Sequence, residues 1–267
     1  MRRGWGDARM SGNKDVFYDQ KFYEGQRANS SASAHLVIPL VKDIVDPRSV
    51  LDVGCGVGTW INAWLQAGVE DALGVDGDYV DRNLLQCPAD KFVSHDLNAP
   101  LSLARRFDLV TCLEVAEHLP DYSAPTLVKS LIQHGDVVMF SAAVPNQGGT
   151  HHVNEQWPSY WVALFDTHGF NPYDLIRPRI WFNDRIEWWY RQNILIFANE
   201  DAASRLDLAS SEAPIDIAHP AFVEAATRAV PLSTQVKERL REGGKRLLAD
   251  TPVERPLRRL AKERRSR

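Results

Sequence analysis

The sequence predicts an α/β fold in which a seven-stranded, mostly parallel sheet carries helices on both faces and is followed by a helical appendage. Two observations support this fold class. Short, largely apolar segments alternate with segments of helical spacing over residues 35–198, and such alternation is typical of a parallel sheet that is covered on both faces. From residue 201 onward no strand pattern continues, and the apolar positions are scattered or helically spaced.

The elements follow one another in a regular order. A helix over 35–45 stops before Pro47 and leads into a strand over 49–53, which a glycine turn joins to a helix over 59–67. The later segments repeat this unit. Further strands are predicted at 72–75, 92–95, 107–113, 136–144, 172–176 and 193–198, with a helix at 160–168.

The length and composition are those of one sizeable globular domain with attachments: 267 residues, 44% of them hydrophobic and 25% charged. We predict a disordered N-terminus over 1–14, a main domain over 15–200 and a basic helical appendage over 201–267 with helices at 235–248 and 253–262. We expect no transmembrane segment or signal peptide, because no apolar stretch is long enough for either. The expected location is cytoplasmic.

Charge and cysteine content limit the possible ligands. Residues 237–267 carry 12 Lys and Arg against 5 Asp and Glu, whereas the chain as a whole has 31 basic and 35 acidic residues, so the rest of the chain has an acidic excess. Such a body is a poor surface for nucleic acid and favours a small-molecule substrate. The basic tail is expected to pack within the protein or in a homo-oligomer, and contact with an anionic membrane or a nucleic acid is the alternative. The 3 cysteines include no CxxC pair, which argues against a disulfide framework or a cysteine zinc site.

The most informative segment is the glycine-rich turn after the first strand. Asp52 precedes Gly54, Gly56 and Gly58, and Thr59 stands where the dinucleotide fingerprint needs its third glycine. An aspartate just before the loop repels phosphate and suits a cationic or amine-bearing ligand. The pattern resembles the first motif of class I S-adenosylmethionine (SAM) methyltransferases, which have a Rossmann-like fold.

The later motifs of that family follow in the expected order, and the resemblance implies how SAM binds. Asp52 and the glycine loop hold the methionine end, Asp76 accepts hydrogen bonds from the ribose hydroxyls beside Gly77, and Asp96 binds the adenine amino group. Two leucines complete the implied cofactor site, one on the adenine ring and one at the strand end beside the methionine: Leu97 and Leu113. On this resemblance, residues 15–200 form a SAM-dependent methyltransferase domain.

The loop after the fifth strand points to the acceptor. Residues 141–157 and 189–193 are similar to a bacterial subgroup with the signature SAAxPxQGGTxHxNEQW and a later WYxQN. That subgroup is associated with sugar, surface-glycan and natural-product pathways. The resemblance implies that the methyl acceptor is small and polar, most directly a hydroxyl of a sugar or natural product.

Three histidines near this loop are candidate catalytic bases, because methyl transfer to a hydroxyl releases a proton and imidazole accepts one near neutral pH. His152 and His118 are the first candidates and His151 the next; each is alternatively a structural histidine. The candidate acceptor contacts are carboxylates, aromatic rings and an arginine, which suit a ring-shaped, partly anionic acceptor. They are Glu117, Glu155, Trp157, Trp181, Trp188 and Arg191. Core packing is the alternative role for each tryptophan.

A metal site is a second interpretation of the same region. Glu114, Glu117, His118 and His152 resemble the ligands with which small-RNA 3'-end 2'-O-methyltransferases hold magnesium. The Glu-x-x-Glu-His pattern is equally common in methyltransferases that bind no metal, and we favour no metal.

Three functional hypotheses follow. The leading one is SAM-dependent methyl transfer to a small polar acceptor. The second is metal-assisted 2'-O-methylation of RNA, and the third is a SAM-binding scaffold without catalysis. Loss of activity with EDTA separates the first two, and SAM binding without turnover identifies the third.

Overall fold

A computed structural model describes residues 20–209 and 214–229 of the chain. Helices and strands alternate along most of this length. The helices are α1 Gln20–Val45, α2 Thr59–Gln66, α3 Ala124–His134, α4 Pro158–Asp166, α5 Arg177–Ile180, α6 Trp188–Asn193, α7 Glu200–Arg205 and α8 Pro220–Ala229. The strands are β1 Ser49–Val53, β2 Asp71–Asp76, β3 Phe92–Ser94, β4 Leu109–Leu113, β5 Val137–Ser141, β6 Phe170–Tyr173 and β7 Leu195–Asn199.

The strands form one seven-stranded sheet in the order β3-β2-β1-β4-β5-β7-β6. All neighbouring pairs are parallel except those of β7, which runs antiparallel to β5 and to β6. The predicted mostly parallel sheet is therefore confirmed. The chain order reverses between β1 and β4, and ligands of such sheets bind at the carboxyl ends of the strands beside that point.

Two hydrophobic clusters cover the two faces of the sheet. Ile38 of α1 and Trp64 of α2 belong to one cluster, and Leu127 of α3 and Phe165 of α4 belong to the other. Each of these four side chains is at most 1% exposed, and burying one such side chain stabilises a fold by about 1.5–3 kcal/mol. The sequences of the central strands are continuous apolar runs because both faces of these strands are buried.

Several predicted boundaries were wrong. α1 begins at Gln20 instead of residue 35, and α3 was not predicted. β6 lies over Phe170–Tyr173 instead of 172–176, because Asp174 turns out of the strand and accepts two hydrogen bonds from Arg177, at 2.9 and 2.8 Å. Smaller shifts of one to three residues at either end affect the elements that were predicted at 59–67, 72–75, 92–95, 107–113, 136–144, 160–168 and 193–198.

The C-terminal part of the chain divides at Val223. Residues up to Val223 form one compact unit, and the second unit, from Glu224, is described only as far as Ala229, where it is helical. The domain boundary after residue 200 stays a prediction. The predicted helices at 235–248 and 253–262 and the N-terminal segment 1–14 lie outside the described residues. In the described ranges, none of the helices has the length and apolar character needed to cross a membrane.

Candidate functional site

The glycine turn after β1 has a backbone that other residues rarely adopt. Gly54, Gly56 and Gly58 have φ values of 83°, 54° and 80°, and such left-handed conformations favour glycine. A Cβ on Gly54 would overlap the side chain of Val115. The Gly54 amide donates to the Val75 carbonyl at 2.7 Å. The turn therefore needs its glycines for conformation and for close packing against the end of β4.

Asp52 lies in β1 just before this turn and is 3% exposed. The Thr111 hydroxyl donates to its carboxylate at 2.6 Å. Burial raises the pKa of Asp52 to about 7, against the Thr111 hydrogen bond and with a further contribution from the charge of Asp76. A buried carboxylate of this kind gains from a cationic ligand, which restores the preference for its charged form.

Asp76 ends the neighbouring strand, β2, and is also buried, at 4% exposure. Three donors surround its carboxylate: the amides of Gly56 and Gly77, each at 2.6 Å, and the hydroxyl of Tyr79 at 2.5 Å. Burial raises the pKa of Asp76, and these three hydrogen bonds oppose that rise. The carboxylate thus links the glycine turn after β1 to the turn after β2.

The remaining predicted cofactor residues lie at the carboxyl ends of β3 and β4. Asp96 is exposed in the turn after β3, where its Oδ1 accepts from the backbone and side-chain amides of Asn98 at 3.0 and 2.9 Å. Leu97 and Leu113 are buried, at 7% and 8% exposure. Because β1, β2, β3 and β4 are parallel neighbours, their carboxyl ends share one edge of the sheet.

Glu114 begins a second polar cluster at the end of β4. Its backbone is left-handed, with φ of 54°, a conformation that is strained for a residue with a side chain. The carboxylate accepts hydrogen bonds from the side-chain amides of Gln147 at 2.8 Å and Asn193 at 3.1 Å. Burial raises the pKa of Glu114 and the amide hydrogen bonds oppose this. Two amides thus hold a buried acid in place.

Glu117 is the most exceptional group of this cluster. It is 1% exposed, and neither oxygen of its carboxylate has a hydrogen-bond partner among the described residues. Burial raises the pKa of Glu117 well above its usual range, and the charge of Glu114 adds to the rise. Burial disfavours the charged form of a carboxylate, so Glu117 gains from a proton or a nearby cation.

His118 and His152 lie beside Glu117. Their rings meet edge to face with centroids 4.9 Å apart. Burial, with a further contribution from His152, lowers the pKa of His118 to about 4, so His118 is neutral at physiological pH. One ligand atom from each of Glu117, His118 and His152 lies within 4.8 Å of the others.

His152 is held by the loop between β5 and α4. Its Nδ1 lies 2.9 Å from Oε1 of Glu155, and Glu155 also accepts from the amides of Asn146 at 2.7 Å and Gly148 at 2.8 Å. A Cβ on Gly149 would overlap the His152 ring at Nε2. Glu155 and Gly149 therefore fix the imidazole. His151, the third predicted base, is exposed.

A divalent cation fits this donor set. Glu117 offers unpaired carboxylate oxygens, and Nδ1 of His118 is buried without a hydrogen-bond partner among the described residues. One carboxylate and two imidazoles suit zinc, manganese or ferrous iron better than magnesium, which prefers oxygen ligands. Glu114, the fourth predicted ligand, already accepts from Gln147 and Asn193.

The predicted acceptor contacts fall into two groups. Glu117 and Glu155 belong to the histidine cluster. Trp157 is 38% exposed at the start of α4. The two other tryptophans pack on the segment that follows: the Trp181 ring centroid lies 4.6 Å from that of His219 and the Trp188 ring centroid 5.9 Å from that of Phe222. Arg191 donates to the Trp181 carbonyl at 3.3 Å.

Four residues of the site were not predicted. Gln147 and Asn193 hold Glu114, Tyr79 contacts Asp76, and the backbone amide of Asn154 donates to the Glu117 carbonyl at 3.1 Å. Gln147, Asn154 and Asn193 all fall inside the loop signature and the WYxQN segment, so that pattern contains a signal for them. Tyr79 carries no comparable signal.

The sheet order, the glycine turn and the two buried acids at adjacent strand ends define the class I SAM methyltransferase fold. A family model described as a methyltransferase domain matches residues 23–177, more than half of the chain. The chain belongs to this methyltransferase-domain family, and SAM is its cofactor.

Two bacterial relatives and one solved structure show the extent of the similarity. The chain is 32% identical over 182 residues to the ubiquinone biosynthesis O-methyltransferase of Aromatoleum aromaticum, covering 58% of this chain and 70% of the relative. It is 30% identical over 125 residues to the enzyme of that name from Actinobacillus pleuropneumoniae, covering 40% and 53%. The chain thus spans about half the length of the latter relative.

The solved structure is magnesium protoporphyrin IX methyltransferase from Synechocystis with bound SAM. It aligns with a TM-score of 0.48 and 19% identity over 72% of this chain and 92% of its own.

Proposed function

We propose that the protein transfers the methyl group of SAM to a hydroxyl of a small polar acceptor, such as a sugar or a natural-product intermediate. The observation that carries the proposal is the pair of His152 and Glu155, with 2.9 Å between Nδ1 and Oε1. The pair belongs to the loop that follows β5, and a buried acid, Glu117, lies beside it. Such a pair is a ready acceptor for the proton that hydroxyl methylation releases.

The reaction is an in-line displacement. The acceptor oxygen attacks the methyl carbon, the new C–O bond forms as the C–S bond breaks, and the electron pair of that bond stays on sulfur to give S-adenosylhomocysteine. The hydroxyl proton passes to His152. Because the Glu155 carboxylate only accepts, Nδ1 of His152 carries hydrogen and Nε2 is free to take the proton. Gly149 lies against the Nε2 side of the ring, and a Cβ at that position would overlap Nε2.

The cofactor residues have complementary parts in this proposal. Asp52, which is buried, binds the cationic amine end of SAM, and Asp76 binds the ribose hydroxyls. Asp96, exposed beyond β3, binds the adenine amino group, and Leu97 packs on the ring. Most of the rate enhancement then comes from holding the acceptor oxygen close to and in line with the methyl carbon.

The loop signature and the relatives support oxygen as the methylated atom. The signature over 141–157 resembles a subgroup of sugar and natural-product pathways, and the relatives are named as O-methyltransferases. The acidic body of the chain disfavours a polyanionic acceptor. The acceptors to be tested with the protein are therefore sugars, nucleotide sugars and phenols.

The experiment is a mass-spectrometric screen of these acceptors with SAM, in which each one is examined for the gain of one methyl group. A methylated hydroxyl product that depends on the protein supports the proposal. Calorimetric binding of SAM without methylation of any acceptor in a broad panel contradicts it and favours the non-catalytic scaffold.

A metal-assisted version is the second candidate, and the bare Glu117 carboxylate beside His118 and His152 favours it. Those three residues would hold the cation, which when bound lowers the pKa of an acceptor hydroxyl. His152 cannot then serve as the base through the same nitrogen that binds the metal. The ligand pattern suggests a form of this candidate in which the methyl acceptor is an RNA 2'-hydroxyl. Metal content of the purified protein and the effect of EDTA distinguish the two versions.

We also propose that the chain functions in the cytoplasm and that residues 201–267 contribute to packing or to a homo-oligomer. Truncation after residue 236 tests the second point. A lower melting temperature or a changed oligomeric state by light scattering supports it, and an unchanged protein contradicts it.

A further inference from the structure

Tyr79 covers the acid at the end of β2. Its hydroxyl donates to Oδ1 of Asp76 at 2.5 Å, and its ring lies where a Cβ on Gly77 would be. Asp76 is 4% exposed, whereas Tyr79 is 45% exposed. The tyrosine thus lies on the solvent side of the carboxylate, and a ligand that approaches from solvent meets Tyr79 before it meets Asp76.

Most of the hydrogen-bond acceptor positions of the Asp76 carboxylate are occupied in this arrangement. A carboxylate has about four lone-pair positions, and the amides of Gly56 and Gly77 and the Tyr79 hydroxyl take three of them. Two ribose hydroxyls need two positions. The amides belong to the two turns that form the site, so the Tyr79 hydroxyl is the donor that has to leave.

The same exchange explains why Tyr79 is there. A buried carboxylate is stable in its charged form only when donors surround it. Ribose hydroxyls supply donors when SAM is bound, and the Tyr79 hydroxyl supplies one when it is not. Tyr79 lies in a tight turn in which the amide of Val80 donates to the Gly77 carbonyl at 3.3 Å. Val80, at 4% exposure, anchors this turn.

We propose that the Tyr79 hydroxyl competes with SAM and S-adenosylhomocysteine for Asp76, so that this residue limits cofactor affinity. The inference rests on the proposed role of Asp76 as the ribose acceptor. It assigns to Tyr79 a role in binding and product release that is separate from the chemistry of the histidine cluster.

The test is calorimetric binding of SAM to Tyr79→Phe, which keeps the ring and removes the hydroxyl. We expect the affinity to rise about threefold to tenfold, the usual effect of removing one competing hydrogen bond. The matched control is Tyr122→Phe, since Tyr122 is 78% exposed and lies outside both acid clusters; its affinity should equal that of the wild type. Unchanged or weaker binding by Tyr79→Phe overturns the proposal.

Asp76→Asn separates this inference from the role of Asp76 itself. If Asp76→Asn binds SAM as the wild type does, the ribose assignment fails. If Asp76→Asn weakens binding but Tyr79→Phe does not strengthen it, only the competition fails. A crystal structure with S-adenosylhomocysteine gives an independent outcome: the Tyr79 hydroxyl should have left Asp76, and a retained hydrogen bond in the complex contradicts the proposal.

Discussion

His118 and His152 meet edge to face with ring centroids 4.9 Å apart, and His152 has a carboxylate partner, Glu155, at hydrogen-bond distance. Burial lowers the pKa of His118 to about 4. A base with so low a pKa holds a proton poorly at neutral pH. The neighbouring imidazoles therefore have different roles, with His152 as the base and His118 as a neutral ring beside it.

His152→Ala is predicted to lower kcat about a hundredfold or more, because a general base contributes at least that much. SAM affinity should stay within about twofold of the wild type, since the cofactor acids lie at other strand ends. Steady-state kinetics and calorimetry on the same preparation measure the two effects. His168→Ala, at an exposed position after α4, is the control, and a normal kcat for His152→Ala would remove its catalytic role.

Gly149→Ala is predicted to lower kcat about tenfold or more, because a Cβ at this position overlaps the His152 ring and small displacements of a catalytic group are costly. Gly149 also has φ of 154°. Gly148→Asn is the control: Gly148 has φ of 69°, which asparagine tolerates, and a Cβ there has no neighbour within 4 Å. Equal kcat values for the two variants would show that His152 is not held as described.

SAM affinity is predicted to depend on pH through Asp52, whose pKa burial raises to about 7. The charged carboxylate binds the cationic end of SAM, so binding is strongest above pH 7. Below that value protonation weakens it, by up to about tenfold per pH unit. Calorimetry from pH 6 to pH 8 measures this, together with proton release on binding at pH 6. Asp52→Asn should bind weakly with no such pH dependence, and a wild-type affinity that is flat over this range would contradict the assignment.

The metal-assisted candidate predicts that zinc or manganese raises the melting temperature of the wild type and that Glu117→Gln removes this effect. Ligand binding to the folded state stabilises it in proportion to the logarithm of ligand concentration over Kd. Glu70→Gln, at an exposed position away from the histidines, should respond as the wild type does. A wild-type melting temperature that no divalent cation changes, with no bound metal by elemental analysis, would reject this candidate.

The places of the cofactor candidates in the fold were largely predictable from the sequence. The strand predicted at 49–53 agrees with β1, because an apolar run ended by Gly54 is a local signal. Asp52 and Asp76 follow from their places at strand ends, and the parallel order of the sheet brings those ends together.

The acceptor half depends on contacts between distant segments, which local patterns do not encode. Glu114 meets Gln147 and Asn193, which are 33 and 79 residues away in the chain, and its left-handed backbone has no marker in the sequence. Trp181 and Trp188 were predicted as an acceptor wall, and their rings pack on His219 and Phe222 from a segment that gave no clear pattern. The sequence carried no signal for the contact of Tyr79 with Asp76, because the position of Tyr79 depends on a single turn.

The central claim is hydroxyl methylation, and the most direct measurement is carbon NMR of the product formed from SAM that carries a 13C-methyl group. The account predicts that the labelled carbon appears at the chemical shift of a methyl ether, that this signal requires the acceptor hydroxyl, and that His152→Ala forms it at a greatly reduced rate. A labelled methyl group on nitrogen or carbon, formed equally well by His152→Ala, would contradict the account.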